Sequence, residues 1–464
     1  MLEKNSYMPG LSRRQWLKTA ITASTILSLP ACSVMHGGAE YDYVLTLAPT
    51  PLEILPGTLT PTWTFNGEAP GTTLRVKQGQ PVRILVRNRL TEPTTVHWHG
   101  IRLVNNADGV PYLTQPPIAE GTDYAYEFTC PDAGTFWYHP HFNSLKQLSH
   151  GLVGLLIVEE AEPVNFDADI ALALKDWLLN DDGSFKAFSD PRAAARTGTL
   201  GNVATINGKI SPRLTVAAGA NLRLRLANID NTRVFTIACD HEATIIAKDG
   251  NPIAVPETLD EHAIGAGMRV DLALRVPNTP GEKIRLFDKK GRFAFDLCEI
   301  EVVTNAKAKQ TPMPQLPLNP IPTPNIEQAR RIPLVFEWAG ALSPGHSDGS
   351  AHSIFWTINK RAWDHAGPHS LPEPLADIQL GSHVIFELHN ATPHHHPIHL
   401  HGSTFTVLSS DKREITPFHT DTVLMSKYER MEVAIVADNP GNWMFHCHVI
   451  EHMKTGLMGY IRIA

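Results

Sequence analysis

The sequence predicts an all-β chain made of three β-sandwich units. Charged residues form only 19% of the 464 residues, while 32 glycines and 36 prolines supply frequent turns. Short runs in which polar and apolar residues alternate recur between these turns. At about 150 residues per domain, a chain of this length favours roughly three domains.

The first 32 residues predict an export signal. Arg13 and Arg14 precede an uncharged stretch, residues 19–31, that is too short to span a bilayer. The arginine pair with its Trp-Leu-Lys continuation resembles a twin-arginine export signal, and an ordinary basic signal is the alternative. Leu29-Pro30-Ala31-Cys32 resembles a lipobox, which would make Cys32 a lipid anchor; a signal cut here without a lipid is the other interpretation. We therefore expect a periplasmic or cell-envelope protein.

The first two units are predicted at residues 41–161 and 164–305. Val82–Val86 is a representative alternating run of the first unit. In the second unit Leu222–Leu226 and Val270–Leu274 alternate with a period of two, which predicts polar side chains facing outward and apolar side chains facing inward. Cys239 and Cys298 both lie in this unit, where a disulfide bridge is one option.

A proline-rich linker and a third unit complete the predicted organisation. Residues 306–330 contain six prolines and few periodic apolar residues, which is typical of an extended linker. The third unit is predicted at residues 331–464. No membrane span is expected in the mature chain. The net charge of −7 leaves no basic surface for phosphate, so we expect no nucleic-acid partner, and we expect a monomer.

Histidine is the residue that carries the functional prediction. The chain has 23 histidines, and eight of them form four His-x-His pairs in the first and third units. The pairs are His97 and His99, His139 and His141, His399 and His401, and His446 and His448. On a strand, residues i and i+2 point to the same side with Cα atoms about 6.5–7 Å apart, a spacing suited to two neighbouring metal ions. Four such pairs predict a multinuclear metal site where the first and third units meet.

Cys447 predicts a second kind of metal site. Because it lies between His446 and His448 on a strand, its sulfur must face away from the multinuclear site. His396 and His452 are the remaining candidates to join it. One thiolate and two imidazoles are typical of a blue-copper site, and tetrahedral zinc is the alternative.

The four histidine runs resemble a known family. HWHG (97–100), HPHF (139–142), HPIHLHG (396–402) and HCHVIEHMKTGLM (446–458) are similar to the four copper signatures of three-domain multicopper oxidases of the laccase and copper-efflux-oxidase type. The resemblance implies three cupredoxin-like Greek-key domains and four copper ions. It also implies that phenolic or similar donors are oxidised in four one-electron steps while O2 is reduced to water.

The resemblance also assigns ligands and a proton-handling residue. It implies a type 1 copper on His396, Cys447 and His452, a type 2 copper on His97 and His399, and two type 3 coppers on His99, His139 and His448 and on His141, His401 and His446. Asp108 matches an acidic residue of the family near the type 2 copper. We expect it to deliver protons, the alternative being a turn-stabilising Asp before Gly109.

Two positions depart from better-known bacterial members. Leu457 occupies the axial position of the type 1 site, with Met458 one residue further on, and a non-coordinating leucine predicts a high copper potential. Met453 stands where copper-efflux oxidases carry a proton-passing glutamate, and Glu451 lies nearby on what the sequence predicts to be a strand end.

The reducing substrate is the least determined feature. The chain lacks a methionine-rich segment, which favours phenolic donors over Cu(I). An open edge near His396 and His452 would admit phenols and other bulky one-electron donors. His394, His395 and the histidines at 346, 352, 365 and 369 are either copper-collecting or merely exposed. The alternatives are a cuprous oxidase for periplasmic copper tolerance and a non-catalytic cupredoxin-domain envelope protein. The complete set of eleven ligand positions argues against the latter.

Overall fold

The computed structural model describes residues 41–289, 295–304, 311–339, 354–363, 367 and 371–464. In these residues the chain forms six β-sheets arranged in pairs, with three short α-helices and one 3-10 turn. The predicted export signal, Cys32 and the histidines at 346, 352, 365 and 369 lie outside the described residues. No helix in the described part is both long and apolar enough to cross a membrane.

The first domain pairs two four-stranded sheets, β2-β1-β4-β6 and β3-β8-β7-β5. Its elements are β1 (Tyr43–Pro49), β2 (Trp63–Phe65), β3 (Gly71–Lys77), β4 (Pro81–Asn88), β5 (His97–His99), the 3-10 turn Asn105–Ala107, β6 (Asp123–Thr129), β7 (Gly134–His139), α1 (Ser144–Ser149) and β8 (Gly154–Glu159).

The second domain pairs a six-stranded sheet, β10-β9-β12-β17-β14-β15, with a five-stranded sheet, β11-β19-β18-β13-β16. Its elements are β9 (Ala168–Trp177), α2 (Pro191–Ala194), β10 (Val203–Ile206), β11 (Arg213–Ala217), β12 (Asn221–Asn228), β13 (Phe235–Cys239), β14 (Thr244–Lys248), β15 (Asn251–Thr258), β16 (His262–Ile264), β17 (Arg269–Arg275), β18 (Lys283–Asp288) and β19 (Phe295–Val303).

The third domain repeats this plan with the sheets β21-β20-β23-β28-β25-β26 and β22-β30-β29-β24-β27. Its elements are β20 (Arg330–Trp338), β21 (Trp356–Ile358), β22 (Ala376–Ile378), β23 (His383–Asn390), β24 (His396–Leu400), β25 (Phe405–Ser410), β26 (Phe418–Thr420), β27 (Thr422–Met425), β28 (Arg430–Val436), β29 (Gly441–Cys447), α3 (Ile450–Lys454) and β30 (Met458–Ile463).

Each domain is a cupredoxin-like Greek-key sandwich, in agreement with the predicted fold class. Every sheet contains one parallel strand pair among antiparallel ones, as in β1 with β4 and β3 with β8 of the first domain. The same pattern recurs in the other two domains. The described part of the predicted linker, residues 311–329, contains no helix or strand.

The apolar cores show how the domains associate. The buried apolar residues of the first and third domains form one continuous cluster, whereas the second domain has a cluster of its own. A third cluster draws on all three domains, with Trp137, Ile229 and Ile450 among its members. The first and third domains therefore share an extensive apolar contact, and the histidine pairs lie beside it.

The prediction of outward polar side chains in the second domain is wrong for β12 and β17. Arg223, Arg225 and Asp271 are each 1% exposed, although their positions alternate with apolar ones. The outer face of these strands packs against β7 of the first domain. Arg223 therefore pairs with Asp271 at 2.7 Å and Arg225 with Asp169 at 2.6 Å, so both buried arginines have an acidic partner.

The optional disulfide between Cys239 and Cys298 does not form. Leu286 of β18 pairs with Cys239 of β13 on one side and with Cys298 of β19 on the other. Two strand spacings of about 4.8 Å place the two cysteines too far apart for a bridge. Both are free thiols in the structure.

Candidate metal centre

The eleven predicted metal ligands and Asp108 are all buried, and the ligands form two adjoining groups. The eight histidines of the His-x-His pairs surround one site between the first and third domains, and His396, Cys447 and His452 form another within the third domain. The most exposed of these side chains is His141 at 7%. Imidazoles are seldom gathered in this number away from water unless they bind metal.

Strand register explains how the pairs come together. In the first domain β5 lies antiparallel to β7 with His97 opposite His139. In the third domain β24 lies antiparallel to β29 with His399 opposite His446 and Ile398 opposite Cys447. Each domain thus presents two histidine pairs side by side on one sheet face, and the two faces meet.

The rings of each predicted type 3 set lie close together, as do other rings of the cluster. The centroids of His99, His139 and His448 are 4.9–5.9 Å apart, and those of His141, His401 and His446 are 4.9–5.3 Å apart. Two pairs of rings from different sets are closer still. His97 stacks on His401 and His99 stacks on His399, each pair with 3.8 Å between ring centroids. The eight rings are therefore one continuous cluster, and the division among individual ions stays a prediction.

Hydrogen bonds leave one nitrogen of most rings facing the centre of the cluster without a partner. The Nδ1 atoms of His97, His139 and His399 lie 2.8–3.1 Å from main-chain carbonyl oxygens, which can only accept, so these nitrogens carry the proton. Their Nε2 atoms are buried and unpaired, as are Nδ1 of His99 and both nitrogens of His448. An unpaired buried nitrogen is costly unless a metal ion takes its lone pair, so the donor set fits metal ions.

His401 and His446 point to the same conclusion. Their Nε2 atoms face each other at 3.1 Å, while Nδ1 of His401 donates to Asp108 and Nδ1 of His446 donates to the carbonyl of Cys447. Both facing nitrogens are therefore lone-pair donors with no proton between them. A cation between these two nitrogens would satisfy both.

Asp108 lies between two ligands from different domains. Its main-chain oxygen accepts from Nδ1 of His97 at 2.8 Å, and its carboxylate accepts from Nδ1 of His401 at 3.0 Å. The carboxylate is 1% exposed and contacts no lysine or arginine among the described side chains. It is therefore an unneutralised buried acid that touches the cluster.

The group around Cys447 has the arrangement predicted for a separate site. Sγ lies 3.5 Å from Nδ1 of His396 and 3.5 Å from Nδ1 of His452, and these two nitrogens are 3.1 Å apart. Nε2 of His396 contacts the Thr392 hydroxyl at 2.9 Å, and Nε2 of His452 donates to the carbonyl of Arg196 at 2.9 Å. All three facing atoms are thereby left available to one ion, and the second domain helps to orient His452.

The edge of this group is closed rather than open. His396 and His452 are 0% exposed, and Trp356 packs on both rings at 5.1 and 4.5 Å. Residues 189–199 of the second domain, here called the cover segment, bind Trp356 through the Ala194 carbonyl at 2.8 Å. The expectation of an open edge near His396 and His452 is therefore wrong.

Burial sets the protonation of both groups. It lowers the pKa of most ligand histidines, to about 3 for His446 and for His452. It raises the pKa of the Cys447 thiol. Neutral imidazoles are the ligand form, whereas the thiol must lose its proton when a metal binds.

The residues that depart from the family pattern are placed as follows. Leu457 belongs to the same apolar cluster as Cys447, and its carbonyl accepts from the Cys447 amide at 3.0 Å. Met458 and Met453 pack instead in the cluster shared by the three domains. Glu451 lies on α3 rather than at a strand end, because the chain turns into a helix directly after the metal-binding strand. Its carboxylate accepts from Ser189 at 2.6 Å and from Thr199, so it anchors the cover segment.

Sequence reasoning missed two contributors to the site. Asp421, between β26 and β27, contacts His99 and His399, and Arg269 of the second domain binds Asp421. Neither belongs to a histidine run, and only the pairing of His399 with Thr422 in the folded sheet brings Asp421 to the cluster. The strand pairing that reveals them joins residues far apart in the sequence.

Comparison with known proteins identifies the family to which this chain is similar. Three family profiles, each described as multicopper oxidase, match residues 46–163, 168–283 and 345–464. A multicopper oxidase of Mycobacterium tuberculosis is 30% identical over 91% of this chain and 87% of its own length. The crystal structure of a multicopper oxidase from Pseudomonas thermotolerans is 43% identical, covers 91% of this chain and 98% of its own, and superposes with a TM-score of 0.84. A laccase of Botryotinia fuckeliana is 29% identical over 85% of this chain and 77% of its own length.

An all-β chain whose sandwiches gather ten histidines and a cysteine into two adjoining buried groups defines a multinuclear metalloenzyme. This chain belongs to the multicopper oxidase family. It is an oxidoreductase with copper as its cofactor.

Proposed function

We propose that the protein is a laccase-like oxidase that takes electrons singly from phenolic or similar organic donors and passes them to O2, forming water. The observation that carries this proposal is that three consecutive residues, His446, Cys447 and His448, belong to both groups of proposed ligands. His446 and His448 face the eight-histidine cluster, while Sγ of Cys447 lies 3.5 Å from the nitrogens of the other group. Copper, when bound, supplies the one-electron redox chemistry and the reduction of O2.

We infer the following ligand sets. His396, Cys447 and His452 would hold the type 1 ion, and His97 and His399 the type 2 ion. The type 3 ions would be held by His99, His139 and His448 and by His141, His401 and His446. The unpaired nitrogens of the cluster support its three ions, and the facing atoms of the Cys447 group support the fourth.

Asp108 would manage protons during oxygen reduction. Its carboxylate touches His401 and lacks a cationic partner among the described residues, so it can exchange a proton without breaking an ion pair. Asp108→Asn should lower oxygen uptake by about 100-fold or more while copper content stays unchanged. Uptake at the wild-type rate would remove Asp108 from the proton route.

Electrons would enter through the closed edge near His452. Because the cover segment and Trp356 shield both imidazoles, the donor docks outside and transfers its electron without touching a ligand. A compact donor suits such an edge, so Cu(I) is the second candidate substrate. His394 supports this alternative because it is only partly buried and packs on Trp356 at 5.9 Å.

The location of the mature protein is also proposed from its N-terminal residues. The Arg13-Arg14 pair supports export by the twin-arginine route to the periplasm or cell envelope, with Cys32 as a candidate lipid anchor. Mass spectrometry of the membrane and soluble fractions tests this. A lipid-modified N-terminal Cys32 would support the anchor, and an intact residue 1 in the mature protein would contradict export with cleavage.

Oxygen uptake by the copper-loaded protein tests the activity. A dimethoxyphenol in one assay and Cu(I) in another distinguish the two donors: faster uptake with the phenol supports the laccase-like proposal, and uptake mainly with Cu(I) supports the alternative. Cys447→Ser is the matched control, because it removes the thiolate and should abolish both the blue absorption band and the uptake. Uptake from neither donor at full copper loading would contradict both.

A further inference from the structure

A buried arginine of the second domain, which contributes no ligand, lies close to the histidine cluster. Arg269 is 1% exposed and makes a bidentate ion pair with Asp421 of the third domain, with N–O distances of 2.9 and 2.6 Å. It also donates to the main-chain oxygen of Thr135 in the first domain at 3.0 Å. One side chain therefore joins all three domains beside the cluster.

The carboxylate held by Arg269 faces ligands from two domains. Asp421 Oδ1 lies 3.2 Å from Nε2 of His99, and the main-chain oxygen of Asp421 accepts from Nδ1 of His399 at 2.9 Å. Nε2 of His99 hydrogen-bonds the Thr422 hydroxyl at 3.3 Å, and that hydroxyl donates to Asp421 Oδ1 at 2.8 Å. The hydroxyl can therefore only accept from His99, so Nε2 of His99 carries the proton and its unpaired Nδ1 is left for metal. Asp421 thus selects the ligating nitrogen of His399 directly and that of His99 through the Thr422 hydroxyl.

Asp421 and Asp108 make similar contacts with the cluster. Each accepts from a histidine of its own domain through its main-chain oxygen, and each has a carboxylate oxygen 3.0–3.2 Å from a histidine nitrogen of the other domain. They differ in charge compensation, because Asp421 is paired with Arg269 whereas Asp108 contacts no cation among the described residues. The arginine pair holds Asp421 ionised and fixed, which suits orientation of ligands rather than proton exchange.

Asp421 could itself be taken for a ligand, because it lies with His99 and His399 in a group whose donor atoms are within 4.8 Å. Its two carboxylate oxygens are already engaged, however, by the two guanidinium nitrogens. The close fit extends to Gly100, where an added Cβ would clash with the Arg269 guanidinium and the Asp421 carboxylate. The residue after His99 must therefore leave room for this ion pair.

We propose that Arg269 and Asp421 are positioning residues that hold His399 and His99 in the orientation the type 2 copper and its type 3 neighbour require. The inference rests on the proposed function, since it assumes that these histidines bind copper. If this is so, the second domain, which contributes no ligand, helps to control the oxygen-reducing cluster through Arg269.

The test compares two conservative variants in the copper-loaded, full-length protein. Arg269→Lys keeps the charge but loses the bidentate geometry, and Asp421→Asn keeps the size but loses the charge. Both should weaken retention of the type 2 copper about 10- to 100-fold and alter its electron paramagnetic resonance signal. The blue absorption band of the type 1 site should remain at wild-type intensity.

Arg223→Lys is the matched control. Arg223 is also 1% exposed and pairs with Asp271 at 2.7 Å, but it contacts none of the proposed ligands. It should leave the type 2 signal and copper retention unchanged. A control that loses type 2 copper equally would show that any buried arginine at the interface has this effect, which would overturn the proposal.

The remaining outcomes are also decisive. Wild-type type 2 signals in both variants would contradict the positioning role while leaving the oxidase proposal intact. Loss of the blue band together with the type 2 signal would assign the ion pair to general folding and equally contradict it. If wild-type protein itself shows no type 2 signal after copper loading, the proposed function fails first.

Discussion

At the scale of single residues, Leu457, at the axial position of the proposed type 1 site, allows the most direct test. Leu457 shares an apolar cluster with Cys447, and a leucine side chain has no atom that can coordinate copper. Leu457→Met would introduce a thioether, a weak axial ligand that stabilises Cu(II) relative to Cu(I). The variant should therefore have a lower type 1 potential, measured by redox titration of the blue band.

Met458 supplies the control for that measurement. It packs with the cluster shared by the three domains, away from the apolar neighbours of Cys447. Met458→Leu should leave the potential unchanged, because it removes a thioether that is not at the site. A shift with Met458→Leu and none with Leu457→Met would reverse the axial assignment.

At the scale of elements, we predict that the contact between α3 and the cover segment controls donor access. Glu451 precedes His452 on α3 and accepts hydrogen bonds from Ser189 and Thr199. Glu451→Gln removes the charge and one acceptor, so the cover segment should be held less firmly. The KM for a bulky phenol should fall, whereas kcat for a small outer-sphere donor stays unchanged.

Steady-state kinetics with the two donors checks this expectation. Ser184→Ala is a matched control, since Ser184 lies in the same domain but bonds only within its own turn. An unchanged KM for the bulky phenol in Glu451→Gln would show that the cover segment does not limit access.

The elements also show what could be predicted from sequence. The alternating runs and histidine spacing were sufficient for the all-β fold and for a meeting of the first and third domains, because both depend on strand periodicity. The burial of Arg223 and Arg225 was not predictable, since alternation reports which side a residue faces and not what covers that side. Glu451 was misplaced because a five-residue helix leaves little periodic signal.

For the whole molecule, copper-free protein should lose stability as the pH falls. Burial lowers the pKa of His99, His139, His141, His396, His399, His401, His446, His448 and His452. Below about pH 6.5 the unfolded chain binds protons that these buried histidines exclude in the folded chain, at His446 and His452 down to about pH 3, so unfolding is favoured as the pH falls.

Two carboxyls oppose this trend. Burial raises the pKa of Asp249 to about 7 and that of Asp176 to about 6, so their contribution favours the folded state below those values. Nine histidines outweigh two carboxyls, and the urea midpoint should fall between pH 7 and pH 4. A midpoint that is constant or rises on acidification would contradict the burial of neutral imidazoles.

The whole molecule also contains what the sequence could not reveal. Arg269 and Asp421 are separated by about 150 residues and belong to different domains, and neither follows a histidine spacing. Their ion pair forms only when the domains pack against one another, and the sequence pattern of a single strand does not show how domains pack.

The ratio of donor oxidised to O2 consumed tests the central claim most directly. An oxidase in which the Cys447 group feeds the eight-histidine cluster should oxidise four one-electron donors for each O2 and release no hydrogen peroxide. Oxygen electrode and peroxide assays on the copper-loaded protein measure both quantities. Two donors per O2 with one peroxide released would contradict the account, because the two groups would then not act as one four-electron unit.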